Sequence, residues 1–153
     1  MSRFRSRFAG RSTPLTIAAI SLAAAQIAHV LDHVFQERGL GGLEPQILLG
    51  GVALLVAAYG TLVLVLLGHP AAPRVALAVG LAAAIGVTAA HVPPDWGWAS
   101  DSYPDRSATG ASWIAMLSEP IAGAVLAAVA LQTVLKQRRS RSTALTGVTP
   151  APR

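Results

Sequence analysis

The 153-residue chain contains no cysteine. That one absence removes disulfides, thiolate metal sites, iron–sulfur clusters, covalently attached c-type haem and cysteine nucleophiles. Any metal site must therefore be built from His, Asp, Glu or backbone oxygens. Charge is scarce as well: Asp, Glu, Lys and Arg make up 12% of the chain, about half of the roughly 25% found in soluble domains. Lysine is almost missing. With the Ala, Gly, Pro and Arg bias this reads as a high-GC bacterial genome, which bears on source and not on chemistry.

What is present is apolar: 53% of residues are hydrophobic and the mean hydropathy is +0.54. Such a composition belongs in lipid. In a soluble protein a net charge of +5 would suggest a nucleic-acid partner, but here the basic residues flank the apolar runs, so none is expected. The length fits one domain. Four apolar runs, about 14–36, 46–68, 75–92 and 112–135, are each long enough to cross a bilayer as a helix.

The segments around them follow from composition. Residues 1–13 alternate Arg3, Arg5, Arg7 and Arg11 with Phe4 and Phe8, a cytoplasmic juxtamembrane pattern held by anionic headgroups. Thr13 and Pro14 read as an N-cap followed by proline in the first helical turn. The basic start also resembles a cleavable signal peptide, but the apolar run continues to Phe35, longer than a signal core, so a retained span is expected. Residues 37–45 form a glycine-rich turn, and His69 to Arg74 a proline-rich one. Pro93 and Pro94 stop the third span. The 93–111 connection is long for a compact domain, which marks a lid, a binding loop or disorder. Its aromatics argue for seating at the headgroup level, with Trp96, Trp98, Tyr103 and Trp113 as an outer belt. Asp95, Asp101 and Asp105 match no calcium loop and read as a solvated acidic stretch. The tail 136–153 is basic, then rich in Ser, Thr and Pro, and reads as a disordered cytoplasmic extension.

The basic residues set the orientation. Arg3, Arg5, Arg7, Arg11, Arg74, Lys136, Arg138, Arg139, Arg141 and Arg153 fall on one side of a four-span arrangement, which makes that side cytoplasmic and puts both termini there. The expected fold is an all-α transmembrane four-helix bundle, up-down-up-down, in a bacterial inner membrane. Small residues supply the seams: Ala53, Ala57 and Gly60, then Ala76, Gly80 and Ala84, then Gly123, Ala127 and Ala130. Such seams let backbones approach where lipid gives no hydrophobic drive. They suit a homo-oligomer or docking into a larger membrane complex equally well.

Against this apolar background one stretch is anomalous. His29, Asp32 and His33 share a helix face, which Gln26 and Gln36 extend by a turn each way. Glu119 lies at a matching depth in the fourth span, and His91 ends the third. Ionisable groups at such depth are costly and by default mark a functional site. A His pair at i and i+4 with a carboxylate from a facing helix suits zinc, iron, copper or manganese, so His29, Asp32, His33, His91 and Glu119 form the expected metal set, in a pocket facing outward. Pro120 withholds an N–H from the Met116 carbonyl and can free that oxygen beside Glu119. Haem held between His91 and His29 or His33 ranks lower, because the carboxylates suit a hard cation better. Two other readings stay open: a ligand-free hydrogen-bonded cluster in a structural or accessory subunit, and a proton or small-solute pathway. His69, alone at the other face, reads as an interfacial histidine. No phosphate loop, nucleotide fingerprint or nucleophile elbow occurs.

The run from His91 to Trp96, the Ser100 to Tyr103 segment, Ser112 with Trp113, and Glu119 resemble small four-span membrane proteins of high-GC bacteria. The resemblance implies membrane location and four spans and carries over no catalytic role.

Overall fold

The computed structural model describes residues 12–35, 45–106 and 108–146. The basic segment 1–11, the turn 36–44 and the end of the tail, 147–153, lie outside the described residues. Within them the chain forms four long helices and no strand: α1 (Thr13–Phe35), α2 (Pro45–Leu66), α3 (Ala72–His91) and α4 (Gly110–Thr146), with a single 3₁₀ turn at Pro104–Arg106. All four are long and apolar enough to cross a membrane. They pack as a four-helix bundle in which α1 touches α2 and α4, and α3 touches the same two.

The helix ends follow from local chemistry. Ser12, one residue before the expected cap, supplies the carbonyl that accepts the first α1 bonds, from the Thr16 N–H at 3.0 Å and its hydroxyl at 3.3 Å. Pro14 sits in the first turn, where its missing N–H leaves nothing unsatisfied. At the end of α2, Gly68 takes φ +65°, a conformation that only glycine adopts without strain. There the Gly68 N–H bonds to the Val65 carbonyl at 3.0 Å and the His69 N–H to Leu64 at 2.9 Å, the paired pattern of a Schellman cap. His69 is exposed, and its Nδ1 accepts the Ala71 N–H at 3.2 Å. It braces the turn into α3, whose first residues are Ala72 and Pro73.

Burial is distributed as a lipid-facing protein requires. α2 is the most hydrophobic span, yet only 11% of its apolar window is buried, against 39% in each of the others. In water this would be an inside-out helix, exposing contiguous apolar surface far beyond the normal few hundred Å². Leu49, Ile85, Ile114 and Leu67 are each at least 66% exposed and lie on different helices or their ends. Facing hydrocarbon, that exposure costs nothing, and the interior can be left to small residues.

The tightest seam is between α3 and α4. A methyl placed on Gly80 would sit 2.6 Å from the Gly123 carbonyl oxygen and 2.7 Å from the Ala127 nitrogen, and one on Gly123 would meet Ala83 and Gly80 at 2.8 Å. Backbone therefore lies against backbone, as the third- and fourth-span stripes predicted. The second-span stripe is corrected in part: Ala57 packs against the core, but Ala53 and Gly60 face outward, and α2 buries Ala58, Thr61 and Val65. In a helix this apolar all round, spacing alone does not distinguish a seam from a lipid face.

α4 differs from the expectation at its far end. It continues past Leu135 to Thr146, where a disordered tail was expected from Lys136. Lys, Gln and Arg are good helix formers, and Ser140, Ser142 and Thr143 return their hydroxyls to carbonyls four residues back instead of competing for the backbone.

Candidate metal centre

The polar residues of the apolar spans meet at one end of the bundle. Near the end of α1 the i, i+4 spacing stacks His29 and His33 on the same inward face, their ring centroids 4.9 Å apart. His91, the last residue of α3, brings a third ring 4.9 Å from His29 and 5.7 Å from His33. All three are buried, at 5–6% exposure. One ligand nitrogen from each lies within 4.8 Å of the others, so His29, His33 and His91 could hold a metal ion. Tetrahedral nitrogens about 2.0–2.1 Å from zinc are roughly 3.4 Å apart.

What surrounds these rings fixes how they present themselves. His29 Nδ1 lies 2.6 Å from Glu119 Oε2, a short hydrogen bond buried between α1 and α4. Its other nitrogen, Nε2, is buried without a hydrogen-bond partner. His91 Nδ1 lies 2.9 Å from the backbone carbonyl of Asp101. A carbonyl only accepts, so this nitrogen carries the proton and Nε2 holds the lone pair. Two imidazoles thus each have one nitrogen engaged by an oxygen and the other turned to different use, the arrangement common to metal-ligating histidines. The depth match inferred for His29 and Glu119 is a direct contact, while His91 comes nearer to His29 than to His33.

No known protein family, curated protein or solved structure matches this chain. The functional reading rests on the geometry.

The long loop completes the centre. A helix leaves its last four carbonyls without partners, and the segment after α3 turns back to supply them. The Val92 N–H bonds to Thr88, the Trp96 indole N–H to Ala89 at 2.7 Å, the Asp101 N–H to Ala90 at 2.8 Å and the Tyr103 N–H to His91 at 3.0 Å. Ser100, Asp101, Ser102 and Tyr103 are buried as a result. Two sequence expectations are corrected here. Asp101 is 1% exposed rather than solvated, with its Oδ2 3.7 Å from His91 Nδ1 and 4.0 Å from His33 Nδ1. Tyr103 is fully buried rather than part of a surface belt. Its ring lies 5.3 Å from His91 and 5.7 Å from Trp113, and its hydroxyl donates to Asp32 at 3.0 Å. Trp96 and Trp98 remain exposed, as an interfacial pair would be, and the Trp98 carbonyl accepts from the Gln46 side chain. Asp95 and Asp105 are also exposed. There the Asp95 N–H, donating to Asp105 Oδ2 at 2.7 Å, holds the Asp105 carboxyl below its ordinary range.

Of the five residues expected as ligands, the three histidines converge. Glu119 stands behind His29, and Asp32 is half-buried beneath the Tyr103 hydroxyl. Gln26, three residues before His29, is 2% exposed with its Oε1 unpartnered. Leaving a buried polar atom unbonded costs about 1–3 kcal/mol. Two such atoms, Gln26 Oε1 and His29 Nε2, lie along one inner face of α1.

Proposed function

We propose that this chain is a multi-pass bacterial inner-membrane protein that binds a divalent transition metal through His29, His33 and His91, with Glu119 and the Asp101 carbonyl orienting two of the rings. The observation that carries the reading is the pairing of three buried, mutually touching imidazoles with outer oxygens on Nδ1 of His29 and His91. Imidazole donors suit zinc, copper and iron. Three of them leave a fourth tetrahedral position open to water or substrate. The ring-to-ring packing, with Tyr103 wedged against all three, supports a single ion over a porphyrin, which needs a slot between its axial ligands.

The one-sided distribution of basic residues supports an up-down-up-down bundle with both termini in the cytoplasm, so that the centre opens to the outer face. Metal analysis of protein purified in mild detergent tests the proposal. The wild type should carry close to one metal per chain, and the His29→Ala/His33→Ala variant none while keeping its helical circular dichroism. Equal and negligible metal in both would overturn it.

A second reading, a proton pathway, is favoured by the 2.6 Å contact between His29 and Glu119. It requires pH-dependent flux in liposomes that Glu119→Gln abolishes without loss of fold, and metal-independent flux would decide for it.

A further inference from the structure

At the opposite end of the bundle from the histidines lies a second polar feature, and it belongs to neither reading above. Arg74, in the first turn of α3, and Gln137, Arg138 and Arg141, on the extension of α4, line one shallow, partly open recess with Val134 as its apolar wall. Arg138 and Arg141 are three apart and so share a helix face, and the close α3–α4 seam brings Arg74 up to them. Among the described residues none of the three has a carboxylate partner: every recorded ion pair involves a histidine at the other end. Among the described residues these three guanidiniums, converging from two helices, meet no counter-charge, which suits an anion drawn from the surroundings.

Depth identifies the anion. The apolar run of α4 ends at Leu135, so Gln137 to Arg141 fall roughly 3–9 Å beyond it at about 1.5 Å per residue. The headgroup layer of a bilayer occupies about the same interval, roughly 5–8 Å outside the hydrocarbon. Arg74 sits at the matching boundary of α3, one residue before its apolar run resumes at Val75. Below the arginines, Val134 is buried and the surrounding helix surface is apolar, as an acyl chain requires. Guanidinium forks match phosphate oxygens two at a time, which lysine does not.

We infer that Arg74, Gln137, Arg138 and Arg141 form a binding site for the phosphate of an anionic phospholipid, seated between α3 and α4 at headgroup depth. The lipid bridges the two helices that carry His91 and Glu119, at the far end of the seam from the metal centre. The site rests on the membrane-spanning fold and not on the metal reading, so either can fail alone.

The test is native mass spectrometry and thermal unfolding of the full chain in detergent. Protein is titrated with phosphatidylglycerol, phosphatidylcholine or inorganic phosphate. Phosphatidylglycerol should give a discrete adduct and raise the unfolding temperature, with little effect from the other two. Losing two guanidinium–phosphate bonds, Arg138→Gln/Arg141→Gln should weaken the adduct about thirty-fold, about 2 kcal/mol. Lys136→Gln/Arg139→Gln, which removes the same charge from α4 outside the recess, should leave it within about three-fold of wild type. Equal losses in the two double variants would reduce the effect to general surface charge and overturn the site. An equal response to phosphatidylcholine, or to inorganic phosphate in place of lipid, would overturn the assignment to an anionic lipid.

Discussion

Replacing Gly80 by alanine tests whether the α3–α4 seam holds the centre together. The new methyl would sit 2.6 Å from the Gly123 oxygen and 2.7 Å from the Ala127 nitrogen. Both are backbone atoms and cannot turn aside as a side chain would. Restoring ordinary contact at about 3.4 Å needs the helices to part by roughly 0.8 Å, an overpacking strain at or above the upper end of the usual 1–3 kcal/mol. Alanine returns up to about 1 kcal/mol of helix propensity, so the net loss should be about 2 kcal/mol. Gly60 provides the control, since it lies in a helix with nothing within 4 Å of an added methyl. Gly60→Ala should be neutral or stabilise by about 0.5–1 kcal/mol. Reversible unfolding in mixed detergent, followed by circular dichroism, measures both. If Gly80→Ala proves as stable as Gly60→Ala, the backbone contact does not exist as described. The same displacement moves His91 relative to Glu119 and His29, so metal retention should fall in Gly80→Ala and not in Gly60→Ala.

Three further outcomes are expected. Glu119→Leu should weaken metal binding about 10- to 100-fold, the usual effect of removing the partner of a ligating histidine. Glu119→Gln, whose amide oxygen still accepts from His29 Nδ1, should lose less; competition with a chromogenic chelator ranks them. Tyr103→Phe keeps the ring contacts and removes the hydroxyl that donates to Asp32, for a loss of about 1–2 kcal/mol in thermal unfolding; Tyr103→Ala, which empties a fully buried site, should cost about 3–5 kcal/mol. The carboxyl of Asp105 is held below its ordinary range by the Asp95 N–H. Its contribution to loop order is therefore complete above the unfolded carboxylate value, about 4, and fades as the pH falls through the lower folded one. Amide exchange at Asp95 should speed up at acid pH in the wild type and already be fast at neutral pH in Asp105→Ala.

The four spans were legible because hydrocarbon imposes length and apolarity on each segment separately, and the seam of Gly80 with Gly123 because close approach admits only small residues. The meeting of His29 with Glu119 was legible for a related reason: charge is costly enough in a span that its depth carries information. Asp101 and Tyr103 were not read correctly, since a loop has no period and an aspartate among Ser, Asp and Pro looks solvated. The available signal was the length of the 93–111 connection, which suggested a folded loop without saying which residues turn inward. α2 was misread in the opposite sense, because in a helix apolar on every side the pattern does not show which face meets lipid.

The way residues 100–103 close the end of α3 inverts the usual map of tolerance to change. A span such as α2, most of whose surface touches only lipid, should accept almost any apolar substitution. Four residues outside every long helix should accept very few, because all four are buried and Asp101 and Tyr103 also bond the last carbonyls of α3. A library scanned for function would therefore trace a line of intolerance that leaves the helices at His91, follows the loop through Tyr103 and re-enters the bundle at Ser112, Met116 and Glu119. Seen that way, the membrane domain has a second core lying across its mouth, built from a stretch of chain that hydropathy alone assigns to solvent.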